Sequence, residues 1–286
     1  MNPVDCAAAV AREAGGLLMT YTAETKDVRK KGAVNLVTAA DIASQELIIA
    51  RLKAAFPEHG VLAEEDVAGV RPQTGHGVRP QNQDFGKGPD PKPDPKPNEY
   101  LWIIDPLDGT TNYSHGYPVF GVSIALAVNG RITVGVVFNP NSGELFAAEE
   151  GHGATLNGLS IHVSKTAEVN DALIATGVPY WIREKPEGIM AKFKAFSVRA
   201  QGVRRAGAAS LDMCEVACGR ADGFWEEGLA PWDTAAGSLI VEEAGGRLSN
   251  LTGGVFDIYE PEVLASNGLV HMEMLEILRH ARHERI

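Results

Sequence analysis

The sequence has few cysteines and no long apolar run. Its three cysteines are Cys6, Cys214 and Cys218. So low and odd a count excludes a disulfide framework and favours a reducing compartment, so we expect a cytoplasmic protein. The longest apolar stretch, residues 117–128, contains Pro118 and Gly121 and is too short to span a bilayer. The N-terminal apolar stretch is too short for an export signal. We therefore expect a soluble protein without a membrane partner.

The sequence is also short of basic residues. It carries 26 Lys and Arg against 37 Asp and Glu, a net charge of −11. Nucleic-acid ligands require clustered basic residues, so this balance argues against a nucleic-acid partner. An acidic protein that binds a phosphate must reverse its own field locally, and bound divalent cations achieve this.

Helical and strand patterns are interleaved along the chain. The apolar spacing predicts helices over 3–20, from near Ala39–Asp41 to Phe56, over 210–218 and over 234–244. Strands are predicted over 101–104, 120–128, 131–138, 144–148, 223–225 and 263–265. Asn129-Gly130 predicts a tight hairpin between the second and third of these strands. This order of elements is typical of an α+β or layered α/β sandwich.

Residues 69–98 interrupt that pattern. They contain the repeated sequences GVRPQ (69–73 and 77–81) and DPKP (90–93 and 94–97), and Phe85 is the only large apolar residue between Val78 and Asn98. Such a segment cannot bury enough surface to offset its ordering entropy, so we predict a mobile, partly extended surface insertion. A spacer is favoured over a partner-binding polyproline segment.

Three places combine carboxylates with the ends of predicted elements. Asp105-Pro-Leu-Asp108 follows a buried strand, Glu64 follows an apolar pair, and Asp233 precedes a helix. Hard oxygen donors gathered in this way are the ligands that Mg²⁺ prefers. Thr110 and Thr111 add hydroxyl and N–H donors for a phosphate. Asp-Pro and Asp-Gly are also good turn formers, so the pattern alone leaves a metal site and a plain turn both open.

Two longer segments carry a family resemblance. Residues 101–113 (LWIIDPLDGTTNY) strongly resemble the first signature of inositol monophosphatases, and residues 232–246 (WDTAAGSLIVEEAGG) resemble the second. The resemblance covers nearly the whole chain and implies the α/β/α/β/α sandwich of the sugar phosphatases. It further implies one domain of two lobes, a metal-binding α+β lobe over about residues 1–150 and an α/β lobe over about 151–286.

The resemblance also implies a set of site residues. Two or three Mg²⁺ ions, with Mn²⁺ as a possible substitute, would be held by Glu64, Asp105, the Leu107 carbonyl, Asp108 and Asp233. Water would be activated with help from Glu64 and from Thr110, whose hydroxyl Asp41 would support. A second metal would stabilise the leaving alkoxide. Lithium sensitivity and a homodimer are the family's usual properties.

Substrate contacts are implied by the same resemblance. The positions concerned are Gly109, Thr110, Thr111, Gly207, Ala208, Ala209, Glu226 and Asp233. Glu226 stands where the family places a carboxylate that holds a polyol hydroxyl. Ala208 departs from the family, because many members carry Ser or Thr there, and it removes one hydroxyl contact. The insertion at 69–98 is a second departure.

The expected function is Mg²⁺-dependent hydrolysis of a small phosphate monoester, with inositol 1-phosphate favoured. The same chemistry could act on fructose-1,6-bisphosphate, a nucleotide 3′-phosphate, NADP or histidinol phosphate, and the residues around the metals do not choose among them. Some members of the family serve instead as accessory factors that bind the transcription machinery. A basic or exposed apolar face would favour that alternative, and the acidic balance does not support it.

Overall fold

The computed structural model describes residues 2–28, 33–67 and 100–281. The helices within these ranges are α1 (Pro3–Val28), α2 (Ala33–Ala55), α3 (Glu64–Val67), α4 (Thr110–His115), α5 (Pro186–Ser197), α6 (Ala209–Ala217), α7 (Pro231–Glu243) and α8 (His271–Ala281). The strands are β1 (Gly60–Ala63), β2 (Tyr100–Asp108), β3 (Gly121–Val128), β4 (Arg131–Asn139), β5 (Glu144–Glu149), β6 (Ala154–Leu156), β7 (Leu159–Ser160), β8 (Leu173–Thr176), β9 (Gly202–Arg204), β10 (Gly223–Glu227), β11 (Arg247–Ser249) and β12 (Glu262–Ser266).

The strands form two mixed sheets. The first has seven strands in sequence order, β1 to β7, with β1 parallel to β2 and the other pairs antiparallel. The second has five strands in the order β11-β12-β10-β8-β9, in which β10, β8 and β9 run parallel. The predicted hairpin at Asn129-Gly130 is confirmed. Both residues have positive φ, 53° and 80°, as the tight turn between β3 and β4 requires.

The two sheets alternate with three layers of helices. Helices α1 and α2 cover the outer face of the first sheet, α6 and α7 pack between the sheets, and α5 and α8 cover the second. Strand β2 shows how the sequence dictates this, because Trp102 and Ile104 join the core under α1 and α2 while Ile103 joins the core under α7. The predicted layered sandwich is therefore confirmed.

The lobe division near residue 150 stays a prediction. The first sheet extends to Ser160, and the second begins at Leu173. Within the described ranges, no helix has both the length and the apolar character needed to cross a bilayer.

Several predicted boundaries were wrong. Helix α2 begins at Ala33 rather than near Ala39–Asp41, because residues 33–39 contain neither glycine nor proline to stop it. Asp41 thus lies inside the helix, 4% exposed. Strand β2 does not end at Ile104. It continues to Asp108, because an irregularity after Asp105 allows pairing with β3 to resume at Gly121. The predicted insertion at 69–98 lies outside the described residues.

Helix α7 approaches the first sheet closely at one glycine of β4. A Cβ added to Gly135 would lie 2.6 Å from the backbone oxygen of Ala236 in α7. Real side chains do not tolerate that distance, so glycine is required for α7 to pack here. Because α7 also carries Asp233, this contact fixes the height of that carboxylate over the sheet.

We predict that Gly135→Ala destabilises the protein by about 1–3 kcal/mol, because the added methyl group forces α7 away from the sheet. The measurement is the free energy of unfolding in urea. Gly16→Ala in α1 is the control, since nothing lies within 4 Å of its added Cβ. It should stabilise the protein by about 0.5–1 kcal/mol. Equal effects of the two substitutions would contradict the packing of α7 described here.

Candidate active site

Three carboxylates from two layers meet at one end of the first sheet. Asp105 and Asp108 belong to β2, and Asp233 lies in the first turn of α7. One carboxylate oxygen from each lies within 4.8 Å of the other two. Asp105 is 2% exposed and Asp108 7%, while Asp233 is half-buried. We call these three residues the carboxylate cluster.

Backbone and hydroxyl groups hold the β2 part of the cluster in place. The Leu107 N–H donates to Asp105 Oδ1 at 3.0 Å. The Ser44 hydroxyl in α2 donates to the Pro106 carbonyl at 2.9 Å. The Thr110 hydroxyl donates to the Leu107 carbonyl at 3.1 Å, so two predicted site residues are in direct contact. The predicted support of Thr110 by Asp41 stays a prediction.

Asp233 and Asp108 accept hydrogen bonds from groups at the starts of α7 and α6. The Ala230 N–H donates to Asp233 Oδ2 at 2.7 Å, which orients this carboxylate at the start of α7. Asp108 Oδ2 accepts the backbone N–H of Ser210 at 2.8 Å and the Ser210 hydroxyl at 2.5 Å. Helix α6 is thereby fastened to the cluster. Sequence reasoning missed Ser210, although it lies inside the segment 207–213 that resembles the family's substrate loop.

Burial and the proximity of other carboxylates raise the pKa values of the buried carboxylates in the cluster. Burial raises the pKa of Asp105 well above its usual range, and the carboxylates of Glu64, Asp108, Asp233 and Asp41 raise it further. Burial also raises the pKa of Asp108, against the opposing effect of its hydrogen bonds from Ser210. Glu64 and Asp41 lie outside the group of three, yet both act on Asp105.

This donor set fits a divalent metal. All its members offer carboxylate or carbonyl oxygen, the hard donors that Mg²⁺, Mn²⁺ and Ca²⁺ prefer. Burial, and after it the neighbouring carboxylates, raise the pKa of Asp105, and a cation placed among the carboxylates offsets both effects. Of the predicted metal ligands, the structure brings Asp105, Asp108 and Asp233 together. The Leu107 carbonyl accepts the Thr110 hydroxyl and the charge of Glu64 acts on Asp105, and their roles as ligands stay predictions.

The predicted phosphate loop lies beside the predicted substrate loop. Gly109 has a φ of 88°, and a Cβ there would lie 2.9 Å from the Val119 oxygen and 3.3 Å from the Ala208 Cβ. Glycine thus allows the start of α4, with Thr110 and Thr111, to approach Ala208 and Ala209 at the start of α6.

Asn112 joins these two loops, and sequence reasoning gave it no role. Its side-chain amide donates to the backbone oxygens of Val119 at 2.7 Å, Ala206 at 2.8 Å and Gly207 at 3.3 Å. Asn112 is buried, and its amide provides the donors that these carbonyl groups need. The signal was present in the signature itself, whose quoted residues end with Asn112 and Tyr113.

Glu226 lies in β10, one residue before the strand ends. Burial raises its pKa well above the usual range, and the next causes are the carboxylates of Asp212, Asp233 and Asp108. Gly177 lies directly against it, because a Cβ at that position would overlap the Glu226 carboxylate. The charges of Asp233 and Asp108 thus act on Glu226, and its role as a substrate contact stays a prediction. Gly177 and Asp212 are further residues to which sequence reasoning gave no role.

Comparison with known proteins agrees with this geometry. The sequence profile described as the Inositol monophosphatase family matches residues 1–285. The Inositol-1-monophosphatase of Synechocystis is 39% identical over 266 residues, which cover 93% of this chain and 84% of that protein. The Nus factor SuhB of Pseudomonas aeruginosa is also 39% identical, over 93% of this chain and 92% of its own.

A solved structure extends the comparison to the fold. The inositol monophosphatase from Anabaena (Nostoc) superposes with a TM-score of 0.80 at 39% sequence identity. The superposition covers 97% of this chain and 95% of that one. The layered arrangement of helices and mixed sheets is thus shared by both proteins.

We predict that Asp105→Asn makes the metal-free protein more stable at pH 7 and leaves its stability near pH 4 almost unchanged. The pKa of Asp105 is raised in the folded state, so between pH 4 and that raised value the folded chain binds more protons than the unfolded one. Its contribution to stability therefore falls as pH rises through this window. The measurement is the Tm in a chelator at both pH values.

The control is Asp5→Asn, which removes an exposed carboxylate from α1 and should give no such gain at pH 7. Divalent cations should raise the Tm of the unsubstituted protein more than that of Asp105→Asn. An Asp105→Asn protein that is less stable in chelator at pH 7 would contradict the repulsion described for the cluster.

Proposed function

Because the chain belongs to the inositol monophosphatase family and is a phosphoric monoester hydrolase, we propose that it hydrolyses a small polyol phosphate, with inositol 1-phosphate as the preferred substrate. The observation that carries this proposal is the carboxylate cluster, whose three oxygens lie within 4.8 Å of one another. The family is metal-dependent, and we propose Mg²⁺ as the ion. When bound, it would acidify a water and neutralise phosphate oxygens.

The residues proposed to hold the ions are those of the cluster, together with Glu64 and the Leu107 carbonyl. Asp105 and Asp108 are buried, and the low dielectric around them strengthens electrostatic contacts with a bound ion. The cluster is assembled from β2 and α7, and α6 is attached to it, so its geometry depends on packing rather than on one flexible loop.

The attacking water is proposed to be oriented and deprotonated by Thr110, Glu64 and Asp41. The Thr110 hydroxyl gives its hydrogen to the Leu107 carbonyl, so its oxygen is free to accept a hydrogen bond from a water. Glu64 begins α3 and acts electrostatically on Asp105, which supports its proposed role as a second proton acceptor. Gly109 and Thr111 are proposed to orient the phosphate from the start of α4.

Glu226 and the loop 207–209 are proposed to hold the polyol. A half-buried carboxylate accepts hydrogen bonds from hydroxyl groups and repels a second anion, which favours a polyol monophosphate over a bisphosphate. Ala208 offers no hydroxyl, so hydroxyl recognition would depend on carboxylates and backbone groups.

A second function remains a proposal alongside the first. The relative named Nus factor SuhB is as similar to this chain as the one named inositol-1-monophosphatase, so an accessory role in transcription is the alternative. The net charge of −11 supports an enzymatic function more than nucleic-acid binding.

We further propose that the protein is cytoplasmic and that it forms a homodimer.

The first test is release of phosphate with and without Mg²⁺ from inositol 1-phosphate, fructose-1,6-bisphosphate, adenosine 3′,5′-bisphosphate, NADP and histidinol phosphate. We expect metal-dependent turnover led by inositol 1-phosphate. Asp233→Asn should lower kcat by at least about 100-fold, because it removes a charge from the cluster. A different leading substrate would overturn the proposed substrate, and full activity of Asp233→Asn would overturn the proposed site.

Lithium should inhibit the Mg²⁺-dependent reaction. The cluster offers hard oxygen donors, and a small hard cation of lower charge would occupy such a site without activating water as strongly. The measurement is the initial rate against LiCl concentration, with NaCl as the control for ionic strength. Equal inhibition by both salts would contradict a lithium-specific site.

A further inference from the structure

Lys192 forms a buried ion pair to which the proposed reaction assigns no role. It lies in α5 and is 6% exposed, and its ammonium group donates to the carboxylate of Glu227, the last residue of β10. Replacing a buried ion pair by apolar groups is often neutral or stabilising, so stability alone does not explain this pair. Buried ionic groups are in some proteins retained because they fix one arrangement of the elements that they join.

The ion pair and an aromatic contact hold α5 against one face of β10. Phe196, one turn after Lys192 in α5, stacks on Trp225 with the ring centroids 5.7 Å apart. Four residues of a helix rise about 6 Å and two residues of a strand about 6.6 Å, so the two contacts have matching spacing. Trp225 and Glu227 therefore face α5, and Glu226 between them faces the other way.

The other face of β10 borders the layer of helices that carries part of the candidate site. Phe224, which shares that face with Glu226, belongs to the core formed with α6 and α7, whereas Trp225 belongs to the core under α5 and α8. Helix α7 carries Asp233 in its first turn. The ion pair thus supports, from behind, the strand whose front faces the layer of α6 and α7.

A short segment with its own hydrogen bonds leads from Glu227 to the carboxylate cluster. The N–H of Gly228, the next residue, donates to the Pro261 carbonyl at 2.6 Å. Ala230 follows two residues later, and its N–H donates to Asp233 Oδ2 at 2.7 Å. Three residues of chain reach at most about 11 Å, so a displaced end of β10 would disturb the hydrogen bond that orients Asp233.

We propose that Lys192 is a positioning residue for the metal site: its ion pair with Glu227 fixes the end of β10 and, through residues 228–230, the orientation of Asp233. This inference rests on the proposed function, in which Asp233 helps to hold Mg²⁺. The charge of Lys192 by itself opposes a cation, because like charges repel. Weaker Mg²⁺ binding after its removal would therefore report displaced ligands and not a lost attraction.

The experiment compares Mg²⁺ binding by variants of the full chain. Lys192→Met leaves Glu227 without its cation, whereas Lys192→Met/Glu227→Leu removes both charges and keeps the net charge. Titration calorimetry gives the Kd for Mg²⁺, and thermal unfolding in a chelator gives the Tm, so neither measurement requires turnover. Arg51→Met/Glu13→Leu is the matched control, because it removes an exposed ion pair between α1 and α2.

We expect both Lys192 variants to bind Mg²⁺ about fivefold or more weakly. Loss of a group that orients a metal ligand typically costs about 10- to 100-fold in affinity, and Lys192 acts one step further away. The double variant should keep a Tm within about 3 °C of the unsubstituted protein, because apolar replacement of a buried pair costs little stability. The Mg²⁺ concentration for half-maximal hydrolysis of inositol 1-phosphate should rise by the same factor as the Kd. The control should leave Kd and Tm unchanged.

Two outcomes would overturn the inference alone. Unchanged Mg²⁺ affinity in the double variant would show that the site does not need the ion pair, even if Lys192→Met is impaired. A double variant that does not fold would assign the pair to stability. Failure of the unsubstituted protein to bind Mg²⁺ or to release phosphate would instead overturn the proposed function, and that result is visible before any variant is compared.

Discussion

The repulsion among buried carboxylates is the constraint on which the rest of the site depends. Asp105, Asp108 and Asp233 bring their oxygens within 4.8 Å of one another in a region from which water is largely excluded. The cost of that arrangement appears as the raised pKa of Asp105. A fold keeps such a cluster only if the surrounding structure forces the carboxylates together and if a cation relieves the repulsion when the protein acts.

The layers of the fold provide that force. Strand β2 carries two of the carboxylates on either side of an irregularity in its pairing with β3. Helix α7 brings the third, at a height set by the contact of Gly135 with Ala236. Helix α6 is joined to Asp108 through Ser210, so the same bond that positions a carboxylate of the cluster also positions the helix that follows the predicted substrate loop. The proposed metal site and that loop are thus structurally connected.

Much of the fold and part of the candidate site could be predicted from the sequence, because the patterns that specify them lie in short segments. The hairpin at Asn129-Gly130 and the alternation along β2 depend on neighbouring residues alone. The role of the Asp105–Asp108 segment as a candidate metal site followed from residue type and resemblance. The predicted start of α2 was wrong because residues 33–39 contain no glycine or proline, so the helix runs through Asp41, whose carboxylate acts on Asp105. The contacts of Asn112 with Ala206 and of Gly177 with Glu226 join residues far apart in the sequence, which no local pattern reveals.

Proton release on Mg²⁺ binding tests the relief of repulsion most directly. Titration calorimetry of the full chain in buffers of different ionisation enthalpy gives the number of protons released per ion bound. Because the pKa of Asp105 is raised in the metal-free protein, binding at a pH between the ordinary and the raised pKa should release protons. The release should diminish as pH rises above the raised pKa, and it should be smaller in Asp105→Asn. Mg²⁺ binding without proton release across this range, or with equal release in Asp105→Asn, would contradict a cation site built from mutually repelling carboxylates.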